Sequence, residues 1–274
     1  MGNEVSKKLL LQNQKQQFDE EGYVIVKGLL SAEEVAEIKN TFMKLHAGGP
    51  IPNCFSPVSE EEAKGDILKR YPRMMHPHRV NDLAMHYMLH PKVMDVLAEL
   101  FGEEAIAAQS MFYFKPPGAK GQALHQDNFY LKVEPETCIA AWAAIDPADE
   151  ENGGIMLVPK TNELAIECPH LADQNVSFTR DEVTIPEGMK VVPANLDAGD
   201  VLFFNGSVIH GSYPNKSANR FRRAFICHYA GISTTRIGQY YNPMYTRDGT
   251  PRMIKYNLDS GPCGEEFEEA AGPH

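Results

Sequence analysis

The chain has 274 residues, of which 43% are hydrophobic and 23% are charged, as is usual for a globular protein with a sizeable core. Its formal net charge of −11 disfavours nucleic acid or an anionic membrane as a partner, because such partners require a basic surface. The five cysteines show no CxxC spacing, and no apolar stretch is long enough to span a bilayer. We therefore expect a cytoplasmic protein with reduced thiols that acts on a small molecule.

The N-terminal part of the chain predicts a helical cover that begins with one short strand over residues 23–26. Ser31 and Glu34 form a capping box at the start of a helix, whose apolar residues then recur at helical spacing. This helix should end at the Gly-Gly-Pro of residues 48–50, and a second amphipathic helix is predicted over residues 92–101. Both helices should pack on a sheet.

Strands dominate the sequence after residue 102, separated by Pro, Gly and Asp turns. This pattern predicts a mainly β protein with flanking α-helices, built on an antiparallel double-stranded β-helix (a jelly roll, cupin-like barrel). We expect one domain over residues 1–274, with a helical cover over about 1–102, a jelly-roll core over about 103–230 and a C-terminal loop region over 231–274. The predicted strands lie near residues 106–115, 123–131, 137–145, 155–158, 190–193, 200–208 and 222–230.

Three residues of the predicted barrel could share one metal ion. His125 and Asp127 stand two residues apart, so on an extended segment both side chains leave the same face. His210 ends an apolar run over residues 201–209 that predicts a strand, and we expect it to approach from the opposite wall of the barrel. Two imidazoles and one carboxylate on one face of Fe(II) leave three positions open for a chelating co-substrate and dioxygen. A single histidine, in contrast, is more often a surface or hydrogen-bonded core residue.

An arginine in the last predicted barrel strand could bind an acidic co-substrate. Arg222 lies in the run 221–229, and a guanidinium inside a barrel suits a carboxylate. Arg223 is the alternative, because adjacent strand residues face opposite sides and the sequence alone does not set the register.

The order of these motifs resembles that of the phytanoyl-CoA dioxygenase family of Fe(II)/2-oxoglutarate-dependent oxygenases, and the resemblance covers most of the chain. The segments that carry it, in chain order, are Asp19–Val24, Met111–Gly118, Leu124–Asp127, Ala141–Trp142, Glu151–Pro159, Ala198–Asp200, His210–Ser212, Asn215–Lys216 and Phe221–Arg222.

The resemblance implies that His125, Asp127 and His210 bind iron and that Arg222 pairs with the distal carboxylate of 2-oxoglutarate. It also implies four further residues in the co-substrate pocket or beside the metal, namely Met111, Trp142, Ser212 and Gln126. The alternative for both the methionine and the tryptophan is simple core packing, which is a stronger alternative for the methionine.

The family often adds another cationic or polar residue from a segment before the barrel. Here this segment is 70–79, in which no residue aligns cleanly, and Arg79 or His78 is the expectation. A metal site built on His76 and His78 lacks a third ligand of suitable spacing. The segment could also be a lid that faces the substrate or a solvated loop.

The function implied by the resemblance uses Fe(II) as cofactor and 2-oxoglutarate and O2 as co-substrates. The substrate would be a small metabolite or natural-product intermediate, oxidised at an unactivated C–H bond, most simply by hydroxylation, with release of succinate and CO2. The carboxylate of Asp127 favours oxygen transfer over halogenation, and it leaves desaturation, ring formation and epimerisation open. The alternatives are an acyl-CoA 2-hydroxylase and, in another class, a non-catalytic sensor that binds metal and 2-oxoglutarate.

Substrate specificity should come from loops at the mouth of the barrel, over residues 48–80, 160–190 and 231–260. The last loop could bind an aromatic or anionic substrate, cap the barrel or form the contact of a homodimer. The residues that suggest these roles are Tyr240, Tyr241, Tyr245, Arg236, Arg247 and Arg252.

Two features of the chain ends are of lesser weight. Gly2 and Ser6 fit the minimal myristoylation pattern, which we interpret as coincidence, and the acidic run 265–269 predicts a solvated tail. The final residues carry no peroxisomal tripeptide, which disfavours phytanoyl-CoA as the substrate.

Overall fold

The computed structural model describes residues 9–259 and Cys263, so that the myristoylation pattern and the acidic run 265–269 lie outside the described residues. No helix in the described part is both long and apolar enough to cross a membrane. Single turns of 3-10 helix lie at Pro77–Arg79 and Gln239–Tyr241. The α-helices are α1 (Gln12–Glu21), α2 (Ala32–Ala47), α3 (Glu60–Ala63), α4 (Ile67–Arg70), α5 (Asp82–Met88), α6 (Pro91–Phe101) and α7 (Asp127–Leu131).

Two sheets form the jelly roll, which confirms the predicted fold class. The strands are β1 (Tyr23–Val26), β2 (Met74–Met75), β3 (Ala105–Tyr113), β4 (Gln122–His125), β5 (Ile139–Ala144), β6 (Ile155–Leu157), β7 (His170–Leu171), β8 (Asp181–Glu182), β9 (Val192–Pro193), β10 (Val201–Asn205), β11 (His210–Ser212), β12 (Ala224–Gly231), β13 (Arg236–Ile237), β14 (Met244–Tyr245), β15 (Pro251–Arg252) and β16 (Lys255–Tyr256). The larger sheet has eight strands in the order β1-β10-β5-β12-β3-β14-β15, with β2 also paired to β3, and the smaller sheet has the order β4-β11-β6-β9. Two short pairs, β13 with β16 and β7 with β8, lie outside these sheets.

Helix α2 begins and packs as its sequence predicts. The Ser31 hydroxyl accepts a hydrogen bond from the backbone N–H of Glu34 at 3.2 Å, and the Glu34 carboxylate accepts one from the backbone N–H of Ser31 at 2.7 Å. Its buried face includes Ile38 and Phe42, and the Phe42 ring stacks on that of Phe112 in β3, with 4.0 Å between the centroids. The helix therefore covers the outer face of the larger sheet.

The larger sheet is buried on both faces, and strand alternation separates the two. In β12, Phe225 and Cys227 pack with the helices, whereas Ile226 packs with Trp142 of β5 on the inner face. Because the inner face is covered by the smaller sheet, the candidate site residues lie between the two sheets.

Two predicted strands are shorter than expected. The strand predicted over 123–131 ends at His125, and α7 starts two residues later. The strand predicted over 200–208 ends at Asn205, whose side-chain oxygen accepts a hydrogen bond from the backbone N–H of Ser207 and so forms a turn. His210 then starts a separate strand in the other sheet. The apolar run did not reveal this turn, because Val208 and Ile209 are buried like strand residues.

The expectation of five reduced thiols was wrong for one pair. Cys168 and Cys263 form a disulfide with 5.2 Å between their Cα atoms, and Cys54, Cys138 and Cys227 are free and buried. The paired cysteines lie 95 residues apart, so their spacing in the sequence carried no signal of the pairing.

The stacking of Phe42 on Phe112 gives a stability prediction. We expect Phe42→Ala to lower the free energy of unfolding by about 3–5 kcal/mol, because the substitution leaves a cavity between α2 and β3. Urea unfolding of the parent and the variant measures this difference. The control is Lys44→Ala on the exposed side of the same helix, which should change stability by no more than about 0.5 kcal/mol. Equal stabilities of the two variants would contradict the packing described.

Candidate metal centre

The two candidate histidine ligands lie side by side in the smaller sheet. His210 in β11 is the direct register partner of His125 in β4, and their ring centroids are 4.2 Å apart. The expectation that they approach from opposite walls was therefore wrong. Directly opposed residues of adjacent antiparallel strands project to the same side of the sheet, so pairing alone brings the rings together.

Asp127 completes the group because the residue before it is extended. Gln126 has φ −122° and ψ 125°, so His125 and Asp127 project to the same side, as the two-residue spacing predicted. Asp127 Oδ1 lies 3.6 Å from His125 Nε2 and 3.5 Å from His210 Nε2. All three residues are buried, and one ligand atom from each lies within 4.8 Å of the others. Two imidazole nitrogens and one carboxylate oxygen fit the donor set of an Fe(II) facial triad.

Hydrogen bonds to the backbone orient both imidazoles. His125 Nδ1 donates to the carbonyl of Ala123 at 2.8 Å, and His210 Nδ1 donates to the carbonyl of Val208 at 2.9 Å. A ring nitrogen that faces a carbonyl carries the proton, so the lone pair of each neutral ring lies on Nε2, on the side of the centre. The side-chain amide of Gln122 lies 3.2 Å from His125 Nε2. Burial lowers the pKa of His210 to about 4, so this ring is neutral and able to bind a metal at pH 7.

His228 orients the carboxylate and was not among the sequence candidates. Its Nε2 donates to Asp127 Oδ2 at 2.9 Å, which leaves Oδ1 on the side of the two other candidate ligands. Burial acts to raise the pKa of Asp127, but the interactions with His210, His228 and His125 outweigh it and hold the pKa well below its usual value. The signal for His228 in the sequence was the alternation of side chains along β12, since it lies two residues after Ile226 and projects to the same face.

Arg222, at the entry to β12, directs a guanidinium toward the same space. Its Nε donates to the carbonyl of Gly153 at 2.9 Å, and its guanidinium carbon lies 5.2 Å from the ring centroid of Trp142. Its Nη1 is buried and has no hydrogen-bond partner within the described residues. Burial lowers the pKa of Arg222 to about 10, so the group is still a cation at pH 7.

Arg223, the alternative to Arg222, is committed elsewhere. Its Nε and Nη2 donate to the two carboxylate oxygens of Asp146 at 2.5 and 3.0 Å. This bidentate pair lies on the helical side of the sheet, where Lys39 of α2 also reaches Asp146. The structure therefore directs Arg222, and not its neighbour, toward the candidate site.

A cavity of about 390 Å³ joins the metal-ligand group to Arg222. Three predicted pocket residues, Met111, Trp142 and Ser212, line it. Further lining residues were not predicted from the sequence. They are Tyr113, Gln122, Ile155, Phe204, Gly211, Ile226 and His228.

Gln126 points away from this cavity. Its side-chain Nε2 donates to the carbonyls of Ser207 and Ala165 at 2.8 and 3.3 Å, and its Oε1 accepts from the backbone N–H of Glu167 at 2.7 Å. In extended backbone the residue between two inward side chains must face outward. The structure thus gives Gln126 a role in holding the segment 165–167, which differs from the place beside the metal that the resemblance implied.

The segment 70–79 contributes to the site indirectly. Arg79 Nη2 donates to the carbonyls of Tyr240 and Asn242, both at 3.1 Å, and the His78 ring hydrogen-bonds to Ser110, so both candidate side chains are engaged outside the cavity wall. Arg73 was not foreseen. Its Nη1 donates at 3.0 Å to the hydroxyl of Tyr113, which lines the cavity.

The histidines of this segment do not build a second metal site. Within the described part of the chain, the group of His125, Asp127 and His210 is the only cluster of at least three possible ligands that could share an ion.

The arginines and tyrosines of the loop 231–260 make contacts within the loop and with helix α6. Arg247 pairs with Asp95 of α6, Arg252 donates to the carbonyl of Ile232, and Tyr241 is buried. These contacts favour the capping role among the three that the sequence left open.

Comparisons with known proteins agree on one family. A family model described as phytanoyl-CoA dioxygenase matches residues 18–224. The chain is 26% identical over 231 residues to phytanoyl-CoA dioxygenase 1 of Oryza sativa subsp. japonica, an alignment that covers 73% of this chain and 82% of the relative. It is 24% identical over 261 residues to a probable alpha-ketoglutarate-dependent hypophosphite dioxygenase of Stutzerimonas stutzeri, with 89% and 90% covered.

A solved structure has the same fold. The epimerase SnoN, crystallised in complex with Fe3+, alpha ketoglutarate and nogalamycin RO, superposes with a TM-score of 0.66 at 21% sequence identity, and the match covers 82% of this chain and 84% of SnoN.

The hydrogen bond from His228 to Asp127 gives a prediction on metal affinity. We expect His228→Leu to weaken binding of Mn(II), used in place of oxygen-sensitive Fe(II), by about 10- to 100-fold, because Asp127 loses the partner that fixes its carboxylate. Titration calorimetry measures the dissociation constant. The control is His86→Leu, at an exposed position on α5, which should bind Mn(II) like the parent. Parent-like affinity of His228→Leu would show that Asp127 is not positioned through this bond.

Proposed function

The chain belongs to the phytanoyl-CoA dioxygenase family of Fe(II)/2-oxoglutarate-dependent oxygenases, and on this basis we propose that it oxidises an unactivated C–H bond of a small organic molecule, most simply by hydroxylation, with release of succinate and CO2. One observation carries the proposal. The metal-ligand group opens onto the same cavity as the buried guanidinium of Arg222, whose Nη1 has no hydrogen-bond partner among the described residues. A bound metal ion would satisfy the ligand group, and a bound carboxylate would satisfy the guanidinium.

The residues divide between metal and co-substrate. His125 Nε2, His210 Nε2 and Asp127 Oδ1 would hold Fe(II), while Arg222 would donate to the distal carboxylate of 2-oxoglutarate. Iron with 2-oxoglutarate, when bound, supplies the activation of dioxygen that C–H oxidation requires. The protein contributes orientation, through the backbone carbonyls behind each imidazole and His228 behind the carboxylate.

The apolar part of the cavity wall limits access of water to the reacting groups. Ile155, Phe204 and Ile226 line the same cavity as the metal-ligand group and are nearly inaccessible to solvent. Electrostatic contacts in such surroundings are stronger than in water. Trp142 adds a flat apolar surface and Met111 a flexible one, where the carbon chain of a bound dicarboxylate would lie.

The size of the cavity favours a small substrate. The cavity is closely lined by buried side chains and must also hold the co-substrate, which leaves little room for a bulky substrate. A small metabolite or natural-product intermediate is therefore our leading class. The names of the curated relatives support an acyl-CoA as second candidate, and its nucleotide part would have to remain outside this cavity.

The proposed function is tested by turnover with the metal-free protein as starting material. Under anaerobic conditions, addition of Fe(II) and 2-oxoglutarate should produce a weak visible charge-transfer band, and admission of oxygen should produce succinate. His210→Ala should show neither while it remains folded in thermal unfolding, because one of three metal ligands is missing. A band in the parent without succinate, across a panel of small metabolites and acyl-CoA thioesters, would favour the sensor function over the oxygenase.

The adjacent arginines provide a matched pair of variants. We expect Arg222→Met to raise the KM for 2-oxoglutarate by roughly 10- to 150-fold, the effect of losing about 1.5–3 kcal/mol from a charged hydrogen bond. Arg223→Met should leave this KM unchanged and instead lower the unfolding temperature, because the buried Asp146 loses its bidentate partner. Steady-state succinate formation and thermal unfolding measure the two effects. If instead Arg223→Met raised the KM and Arg222→Met only lowered the unfolding temperature, Arg223 would belong to the co-substrate site.

A further inference from the structure

Lys115 is a buried cation that the proposed function does not yet use. It opens the Lys-Pro-Pro-Gly turn after β3, and its side chain is 3% exposed. Its Nζ donates to the hydroxyl oxygen of Ser212 at 2.7 Å. Lysine is rarely buried unless a partner compensates its charge, so this position requires an explanation.

No carboxylate within the described residues forms an ion pair with Lys115 or with Arg222. Burial, and then the charge of Arg222, lower the pKa of Lys115 well below its ordinary value. Two cations held close together without an acidic partner destabilise a buried site. An anion bound beside them would offset this cost and favour the charged form of the lysine.

The contacts of Ser212 determine where its hydroxyl hydrogen points. Its oxygen accepts from Lys115 Nζ at 2.7 Å and from the backbone N–H of Gln122 at 3.2 Å. A hydroxyl has two acceptor lone pairs and one donor hydrogen. Since two donors already approach the oxygen, the hydrogen is left to point into the cavity that Ser212 lines. Lys115 and Gln122 therefore make Ser212 a hydrogen-bond donor toward that cavity.

The backbone holds Lys115 and Arg222 as one unit. Lys115 has φ 36°, a left-handed conformation that is uncommon for lysine, and its carbonyl accepts from the backbone N–H of Arg222 at 3.1 Å and from Asn215 Nδ2 at 3.0 Å. Gly153 packs against the stem of the lysine, since a Cβ there would lie 2.6 Å from Lys115 Cε. The carbonyl of Gly153 also accepts from Arg222 Nε. One glycine thus positions both cations.

We propose that Lys115 is a positioning residue for the distal carboxylate of a 2-oxo dicarboxylate. It holds the Ser212 hydroxyl as a donor to that carboxylate, and it supplies the second positive charge of the carboxylate site beside Arg222. The assignment of 2-oxoglutarate as the ligand rests on the proposed function. The role of Lys115 goes beyond the proposed function.

The test compares two ligands on anaerobic, Mn(II)-loaded full-length protein by titration calorimetry. 2-Oxoglutarate carries the distal carboxylate, whereas 2-oxopentanoate has a methyl group in its place. Lys115→Met should weaken binding of 2-oxoglutarate by about 10- to 100-fold, as expected for loss of a charged hydrogen bond, and should change binding of 2-oxopentanoate by less than about threefold. Lys120→Met, at an exposed lysine of the same turn, is the matched control and should bind both ligands like the parent.

A double-mutant cycle tests whether Lys115 acts through Ser212. Lys115→Met combined with Ser212→Ala should weaken 2-oxoglutarate binding by clearly less than the product of the two single effects, because each change breaks the same contact. If Lys115→Met does not fold, the Ser212→Ala variant alone carries the test, and unchanged 2-oxoglutarate affinity there overturns the proposal.

Other outcomes separate this inference from the proposed function. Equal losses for the two ligands would show that Lys115 is only structural, and an additive cycle would show that it does not act through Ser212; either result overturns the proposal. A parent that forms succinate while Lys115→Met binds 2-oxoglutarate normally would leave the oxygenase function intact and refute only the role of Lys115. A parent that binds neither Mn(II) nor 2-oxoglutarate would refute the proposed function itself.

Discussion

The antiparallel pairing of β11 with β4 is the constraint on which the rest of the site depends. It sets His210 opposite His125, and a slip of one residue would turn His210 to the other face of the sheet. Gly211 permits this pairing, because a Cβ there would lie 2.7 Å from the carbonyl oxygen of Gln122. The register shifts between His210 and Ser212, and this irregularity brings Ser212 opposite Gln122, whose N–H it accepts. The positions of the two histidine ligands and of Ser212 thus follow from one strand pair.

Burial explains why the site needs a layer of supporting groups. Each imidazole of the metal group satisfies its second nitrogen with a backbone carbonyl, and the carboxylate satisfies its second oxygen with His228. These partners remove the cost of unpaired polar atoms and fix the direction of each ligand at the same time. The wall that carries Arg222 differs, because its Nη1 has no partner among the described residues. The metal-ligand group therefore has its supporting partners in place, whereas no acidic side chain among the described residues forms an ion pair with Arg222.

The sequence predicted what depends on local rules and missed what depends on long-range pairing. The two-residue spacing gave the shared direction of His125 and Asp127, and the capping box gave the start of α2. The choice between Arg222 and Arg223 required the register of the sheet. His228 and Lys115 act on residues far away in the chain, so their types gave no sign of a role until the strands were placed. The disulfide was hidden for the same reason.

The glutamine between His125 and Asp127 shows how much of a short motif serves the surrounding fold. Because its neighbours project inward, Gln126 must project outward, where the segment 165–167 crosses. An amide is suited to that place, since it donates to the carbonyl of Ala165 and accepts from the N–H of Glu167 together. An ionised acid could only accept and a lysine could only donate, and either would leave one of these backbone groups without its partner. The middle residue of the motif is therefore determined by the loop that it holds, while the outer two are determined by the metal-ligand group.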